Sequence, residues 1–162
     1  MLFRPMVTED ALAASHVEEM CFSAPWSERV YKETLEQKYS FYMAAVLEES
    51  DLTGIPGEYA GQIVATCGAV NILGEGDISN VAVLAPYRRQ GLANRLMKLF
   101  LEEERSLGIE TFVLEVRSSN QSAIGLYTKF GFETVGCRRG FYEDPKEDAL
   151  IMKLKVSDDN PQ

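Results

Sequence analysis

The chain has 162 residues, 46% of them hydrophobic, which suits one domain with a real core and excludes a disordered composition. Its formal net charge of −9 argues against a general nucleic-acid binder, which is normally basic; an acidic surface suits a cationic partner or simply confers solubility. No apolar run approaches the ~18 residues that span a bilayer, and residues 1–10 lack a signal-peptide core, so a cytosolic location with no membrane partner is the expectation.

Residues 2–7 read as a short strand, which Pro5 confines to an edge or a strand start. Thr8 is placed to cap a helix with an acidic first turn, Glu9 and Asp10. Leu12, His16, Met20 and the alanines between them give that helix an apolar stripe through Cys21. His16 is the only histidine and reads as structural. Cys21, Cys67 and Cys137 are odd in number and far apart, which favours buried thiols over disulfides or a zinc site. Pro25-Trp26-Ser27-Glu28 starts a second helix, to about Lys38, with Val30, Tyr31 and Leu35 at helical spacing. The aromatic connection from Phe22 to Trp26 is either a hydrophobic staple between helices or a wall of a substrate groove.

Residues 40–47 read as a strand, 48–58 as a polar loop and the chain's weakest point, and 59–70 as the returning strand. Gly74-Glu75-Gly76 then turns the chain into a strand at 77–84. Three strands in hairpin order imply an antiparallel sheet. A long helix follows, from about Arg89 to Leu107, with Leu92, Leu96, Leu99, Phe100 and Leu107 on one face. Glu102, Glu103, Glu104 and Arg105 fall mostly outside that face, and Gly108 suits a C-cap. Residues 111–116 read as a strand buried on both faces, parallel to the one before the helix. Asn120 caps a helix over 121–130 that Gly131 ends, and 132–141 and 149–156 are the last strands. Residues 1–156 form one domain in this reading, and 157–162 a polar tail.

Three places could carry chemistry. Arg88, Arg89, Gln90 and Gly91 sit where the long helix opens, with unpaired N–H groups, partial positive charge and a glycine that admits close approach. That suits a phosphate or pyrophosphate, or is an ordinary strand-to-helix turn. Glu115 interrupts an apolar strand; it is exposed at the sheet end, paired with Arg117 or another cation, or kept as a base. Asn120 and Tyr127 are seven residues apart, so they share a helix face about 10 Å apart along the axis. Each has a structural reading, as N-cap and core aromatic, and a functional one.

Together these residues carry a resemblance. Arg88-x-x-Gly91-x-Ala93, long helix, strand, Asn120 and Tyr127 resembles the acetyl-CoA core of the GCN5-related N-acetyltransferase (GNAT) family. Leu114-Glu115-Val116-Arg117-x-x-Asn120-x-x-Ala123-x-x-Leu126-Tyr127-x-x-x-Gly131-Phe132 is similar to its protein N-terminal acetyltransferases, as are Phe141-Tyr142 and Glu147-Asp148-Ala149-Leu150-Ile151-Met152. Phe22 with Pro25-Trp26-Ser27 resembles the bacterial branch that acetylates the N-terminal alanine of small ribosomal subunit protein eighteen.

The resemblance implies an α/β fold: a mixed central sheet of about seven strands, antiparallel in its N-terminal part, with about four helices. It implies acetyl-CoA as co-substrate, no metal, and the N-terminus of a basic ribosomal protein as acceptor. It makes Glu115 the general base and Tyr127 the general acid. Val81, Ala82 and Val83 would hold the acetyl and pantetheine end. Arg88, Arg89, Gln90, Gly91, Leu92, Ala93 and Asn94 would hold the pyrophosphate, and Asn120 a further part of the coenzyme. Trp26, Phe141 and Tyr142 would select the acceptor. Ala93 stands where a glycine is frequent, the 143–146 connection is short and the 48–58 loop long. Transfer to a lysine or small amine, and a non-catalytic domain that binds coenzyme A or a partner protein, are the alternatives.

Overall fold

A computed structural model describes residues 1–156; the expected polar tail lies outside the described residues. The strands are β1 (Leu2–Pro5), β2 (Ser40–Val46), β3 (Ile63–Ile72), β4 (Glu75–Val83), β5 (Thr111–Arg117), β6 (Glu133–Glu143) and β7 (Lys146–Lys155). The helices are α1 (Ala11–Cys21), α2 (Glu28–Leu35), α3 (Leu92–Ser106) and α4 (Gln121–Lys129). One mixed sheet runs in the order β1-β2-β3-β4-β5-β7-β6. The first four strands pair antiparallel, and β4 and β5 are the parallel pair joined through α3. The expected architecture is therefore present.

Two cores cover the two faces. The larger packs Leu92, Leu96 and Phe100 of α3 and Tyr127 of α4 on Phe112 and Leu114 of β5. The smaller packs Ala11, Ala14 and Val17 of α1 and Tyr31 of α2 on Tyr42, Ala44 and Ala82. Gly68 is required beneath it, since a Cβ there would meet the Tyr42 ring at 1.8 Å.

Several local expectations are corrected. β1 ends at Pro5, and Thr8 opens a 3₁₀ turn rather than capping a helix. Asp10 organises the entry instead: its carboxylate accepts the Val7 N–H at 2.9 Å and two Arg4 guanidinium bonds at 2.7 and 2.9 Å. The buried face of α1 is Ala11, Ala14, Ser15, Val17 and Glu18, while Leu12 is 50% and Met20 75% exposed. Small residues let α1 lie close to the sheet, a gain that outweighs burying the larger side chains. α2 ends at Leu35, short of Lys38, and Val30 is exposed. β3 starts at Ile63 because Gly61 turns the chain with φ 94°. β5 alternates: Phe112, Leu114 and Val116 are buried, Glu115 and Arg117 only partly. Leu107 is exposed at the α3 end, and Glu104 is fully buried. Of the cysteines, Cys67 is buried, Cys21 half-buried and Cys137 exposed.

The feature that positions the site is a bulge. β3 and β4 shift register so that Gly68 faces Asn80 and Ala69 faces Ile78, which leaves Ser79 as the extra residue. The ladder between β4 and β5 covers only Glu75–Asp77 against Thr111–Val113. Beyond it the two strands part, and β4 from Ile78 to Val83 has no strand partner on that side.

Candidate active site

The opening between β4 and β5 leads into a cleft of about 870 Å³. One wall is β4 through Val81, Ala82 and Val83; another is the start of α3; a third is α4. Pro86, in the 3₁₀ turn Ala85–Tyr87, redirects the chain after β4. Arg89 then takes φ 65° and Gly91 φ 75°, and Gly91 is the N-cap of α3. With no side chain on the cap, the first N–H groups of α3 face the cleft unpaired by it. A Cβ on Gly91 or Gly125 would meet nothing within 4 Å, so ligand atoms can come close to the backbone there.

Charge points the same way. Arg88, Arg89 and Lys129 line the cleft and among the described residues no carboxylate does, in a chain of net charge −9. Three cations, a helix N-terminus and exposed glycine backbone form a cradle for a polyanion. These residues fit coenzyme A: a phosphate end at α3, and beside it the unpaired edge of β4 for an extended amide-bearing arm.

The expected coenzyme residues Val81, Ala82, Val83, Arg88, Arg89, Gly91, Leu92, Ala93, Asn94 and Asn120 all line this cleft. Gln90 does not; its amide donates to Pro86 O at 3.1 Å and braces the turn from outside. Arg88 is tethered, its Nε donating to Val83 O at 2.7 Å and its Nη2 lying 3.6 Å from Cys21 Sγ. Asn120 holds both of its expected positions, since it lines the cleft while its Oδ1 accepts the Ala123 N–H at 3.1 Å. Cys21, Phe22, Gln121, Ser122, Gly125 and Lys129 also line the cleft and are additions to the expected set. The α4 members follow helical spacing from Asn120, a signal the sequence offered; Cys21 and Phe22 come from a distant segment.

Tyr127 is at once core and cleft. It is 7% exposed, packs on Phe132 with ring centroids 5.8 Å apart, and lines the cleft. Burial pushes its phenol well above the ordinary range, so it stays protonated at neutral pH. Glu115 lies on the opposite face of β5 from Phe112 and Leu114, which pack with Tyr127. The cation beside it is Arg138, not Arg117. Tyr127 lines the cleft and Glu115 does not; Glu115 stands on β5 two residues past the last rung of the β4–β5 ladder, on the other face of the strand.

The acceptor residues separate. Phe141 and Tyr142 meet edge-to-face at 5.0 Å at the end of β6. Trp26 is not in the cleft; it packs on Tyr31 at 5.4 Å and Tyr42 at 6.3 Å at the edge of the smaller core. For Trp26 the staple reading describes its place, whereas Phe22 stands in the cleft wall. Beneath them Glu18, buried mid-helix, accepts from Tyr31 Oη at 3.0 Å, from Asn80 Nδ2 and from the Trp26 N–H at 3.2 Å. Burial pushes this carboxyl up, against those hydrogen bonds. No sequence pattern marks Glu18 as anything but a solvated helix acid. Among the described residues no group of three or more His, Cys, Asp or Glu side chains could hold a metal ion.

Residues 12–132 match the acetyltransferase (GNAT) family. The chain belongs to that family. This GNAT protein is 33% identical over 152 residues to the [ribosomal protein bS18]-alanine N-acetyltransferase of Escherichia coli K12, covering 93% of this chain and 94% of that one. The corresponding enzyme of Salmonella typhimurium is 31% identical over the same shares. The crystal structure of the E. coli enzyme superposes with a TM-score of 0.81 at 30% identity, over 99% of this chain and 98% of that one. Arabidopsis thaliana NAA60 in complex with acetyl-CoA shares the GNAT fold, with a TM-score of 0.81 at 18% identity over 96% and 98%. The protein is therefore an acetyltransferase with the fold of the bS18-alanine branch. No helix of the described residues is long and apolar enough to cross a membrane.

Proposed function

We propose that this GNAT enzyme transfers acetyl from acetyl-CoA directly to the α-amine of a protein N-terminus, and that its acceptor is the N-terminal alanine of bS18. The carrying observation is the cationic cleft along the free edge of β4, with Tyr127 in its wall and Glu115 on β5 just past the last rung of the β4–β5 ladder. The likeness to the E. coli bS18-alanine enzyme over nearly the whole chain supports the acceptor.

Acetyl-CoA supplies an activated acyl group as a thioester. The start of α3 binds the pyrophosphate through backbone N–H groups and Arg89. The free edge of β4 at Val81, Ala82 and Val83 holds the pantetheine arm and offers N–H groups to the developing oxyanion. Glu115 takes a proton from the incoming ammonium, through a water, so that the amine lone pair is free to attack the carbonyl carbon. Tyr127 gives its proton to the sulfur as the carbon–sulfur bond breaks, while the proton left over on the attacking nitrogen passes to water, from which Tyr127 regains its own. An α-amine, with a pKa of about 7.7–8.0 against about 10.4 for lysine, asks little of the base. Phe22, Phe141 and Tyr142 bound the acceptor's approach, and the acidic chain suits a basic ribosomal protein.

The test is acetyl transfer to a peptide carrying the bS18 N-terminus, beside the same peptide with its α-amine blocked. Transfer to the free peptide alone is expected. Equal transfer to the blocked, lysine-bearing peptide would move the enzyme to the lysine class.

A further inference from the structure

Arg117 bonds to two separate segments of the chain at once. It lies two residues beyond Glu115 on the same face of β5, about 7 Å along the strand. Its Nη1 donates to Pro145 O at 2.8 Å and pairs with Glu147 Oε1 at 3.3 Å. Its Nη2 donates to Asp144 O at 3.0 Å and to Ser23 Oγ at 3.3 Å. Its guanidinium carbon lies 4.3 Å from the centroid of the Tyr142 ring. One planar group therefore holds the β6–β7 hairpin, with the face of Tyr142 at its edge, to the segment after α1, far away in the chain. Glu147 is fixed in turn, since its Oε2 accepts the Ser119 N–H at 2.7 Å and the Ser118 hydroxyl at 3.2 Å.

Resting on the acceptor reading above, we propose that Arg117 is a positioning residue for the acceptor: it clamps the Phe22–Ser23 segment to the Tyr142 lip and so sets the width of the entrance beside Glu115. The chemistry needs arginine. Two carbonyls, a carboxylate and a hydroxyl on one side, with an aromatic face stacked on the plane, match a forked, flat cation. An ammonium is a point charge and cannot serve both walls and the ring together. None of the Arg117 side chain's own partners lines the coenzyme cleft, so the clamp acts first on the acceptor.

The experiment compares wild type, Arg117→Lys and Ser23→Ala; the last removes a single arm from an exposed loop and leaves the hairpin bonds intact. KM for the free-amine peptide is expected to rise about tenfold in Arg117→Lys and about twofold in Ser23→Ala, with KM for acetyl-CoA within twofold throughout. Hydrogen exchange on the free protein should quicken at residues 22–26 and 141–146 in Arg117→Lys, and at 22–26 alone in Ser23→Ala, while α3 is unchanged. A peptide KM that does not move, a parallel rise in both KM values, or unaltered exchange at both walls overturns the clamp. If wild type acetylates no free-amine peptide, the proposed function fails, and the exchange comparison by itself decides the clamp.

Discussion

Arg138 Nη2 on β6 stands 3.7 Å from Glu115 Oε1 on β5, while Arg117, the nearer cation in sequence, is committed to Glu147. The Glu115 carboxylate is thereby left with a loose partner and about a quarter of its side-chain surface open. Glu115→Gln is expected to lower kcat with a free-amine peptide by about a hundredfold or more, the scale of general base catalysis. Tyr127→Phe should do likewise by withholding the proton from sulfur. Steady-state kinetics should show KM for acetyl-CoA little changed in either, and a fully active double mutant would remove both from the mechanism.

Gly91 caps α3 at φ 75° with open cleft around it. Gly91→Val forces a branched side chain into a left-handed conformation, a strain of roughly 1–2 kcal/mol. Its methyl groups also stand where phosphate oxygens would approach the N–H groups. The expectation is a Tm lower by several degrees and a KM for acetyl-CoA raised at least tenfold, with peptide KM unaffected. Thermal scans and initial rates check the two halves separately.

Glu104 offers a pH test. It is fully buried, its two carboxylate oxygens have no hydrogen-bond partner among the described residues, and burial pushes it from 4.5 up to about 7. A raised folded-state pKa means that the folded chain binds the extra proton between those values, so stability falls as pH rises from about 4.5 to about 7. Glu104→Gln should remove that loss. Urea unfolding should find the variant more stable by about 3 kcal/mol at pH 8 and matched to wild type near pH 4, the figure following from ~1.4 kcal/mol per pKa unit.

The long loop before β3 is latched. Glu58 accepts the N–H groups of Thr53, Gly54 and Ile55 at 2.8, 2.9 and 3.1 Å, and the Tyr87 hydroxyl at 2.8 Å. Read as a sequence, this stretch is the place most open to cutting; the structure ties it to the turn that precedes the coenzyme cradle. Glu58→Ala should speed proteolytic nicking between residues 48 and 62 severalfold. Tyr87→Phe, which cuts only the tether to the cradle, should fall between it and wild type.

What the sequence makes legible follows from which signals are local. The antiparallel run β2, β3, β4, the parallel unit through α3 and the glycine that opens α3 depend on period, glycine and turn chemistry within a few residues, and each is found in place. The face of α1 is read only in part: Ala14 of the expected stripe is buried, but close packing on the sheet leaves the larger Leu12 and Met20 outside. Glu104 is misread and Glu18 passed over because a buried acid carries no sequence mark; its partners, or their absence, come from other elements. Trp26 sits in a motif of the resemblance, yet its ring serves Tyr31 and Tyr42, as the staple reading of that connection allows.

The short β4–β5 ladder has a mechanical meaning. Three backbone positions join the antiparallel half of the sheet to β5, β7 and β6, and the core under α3 and α4 supplies the rest of the join. The cleft takes lining from β4 and α3 on one side of the gap and from α4 on the other. A ligand seated there spans the gap and stands in for the missing rungs. Loading with acetyl-CoA should therefore stiffen the whole sheet, and the two halves should unfold as one at concentrations far above Kd.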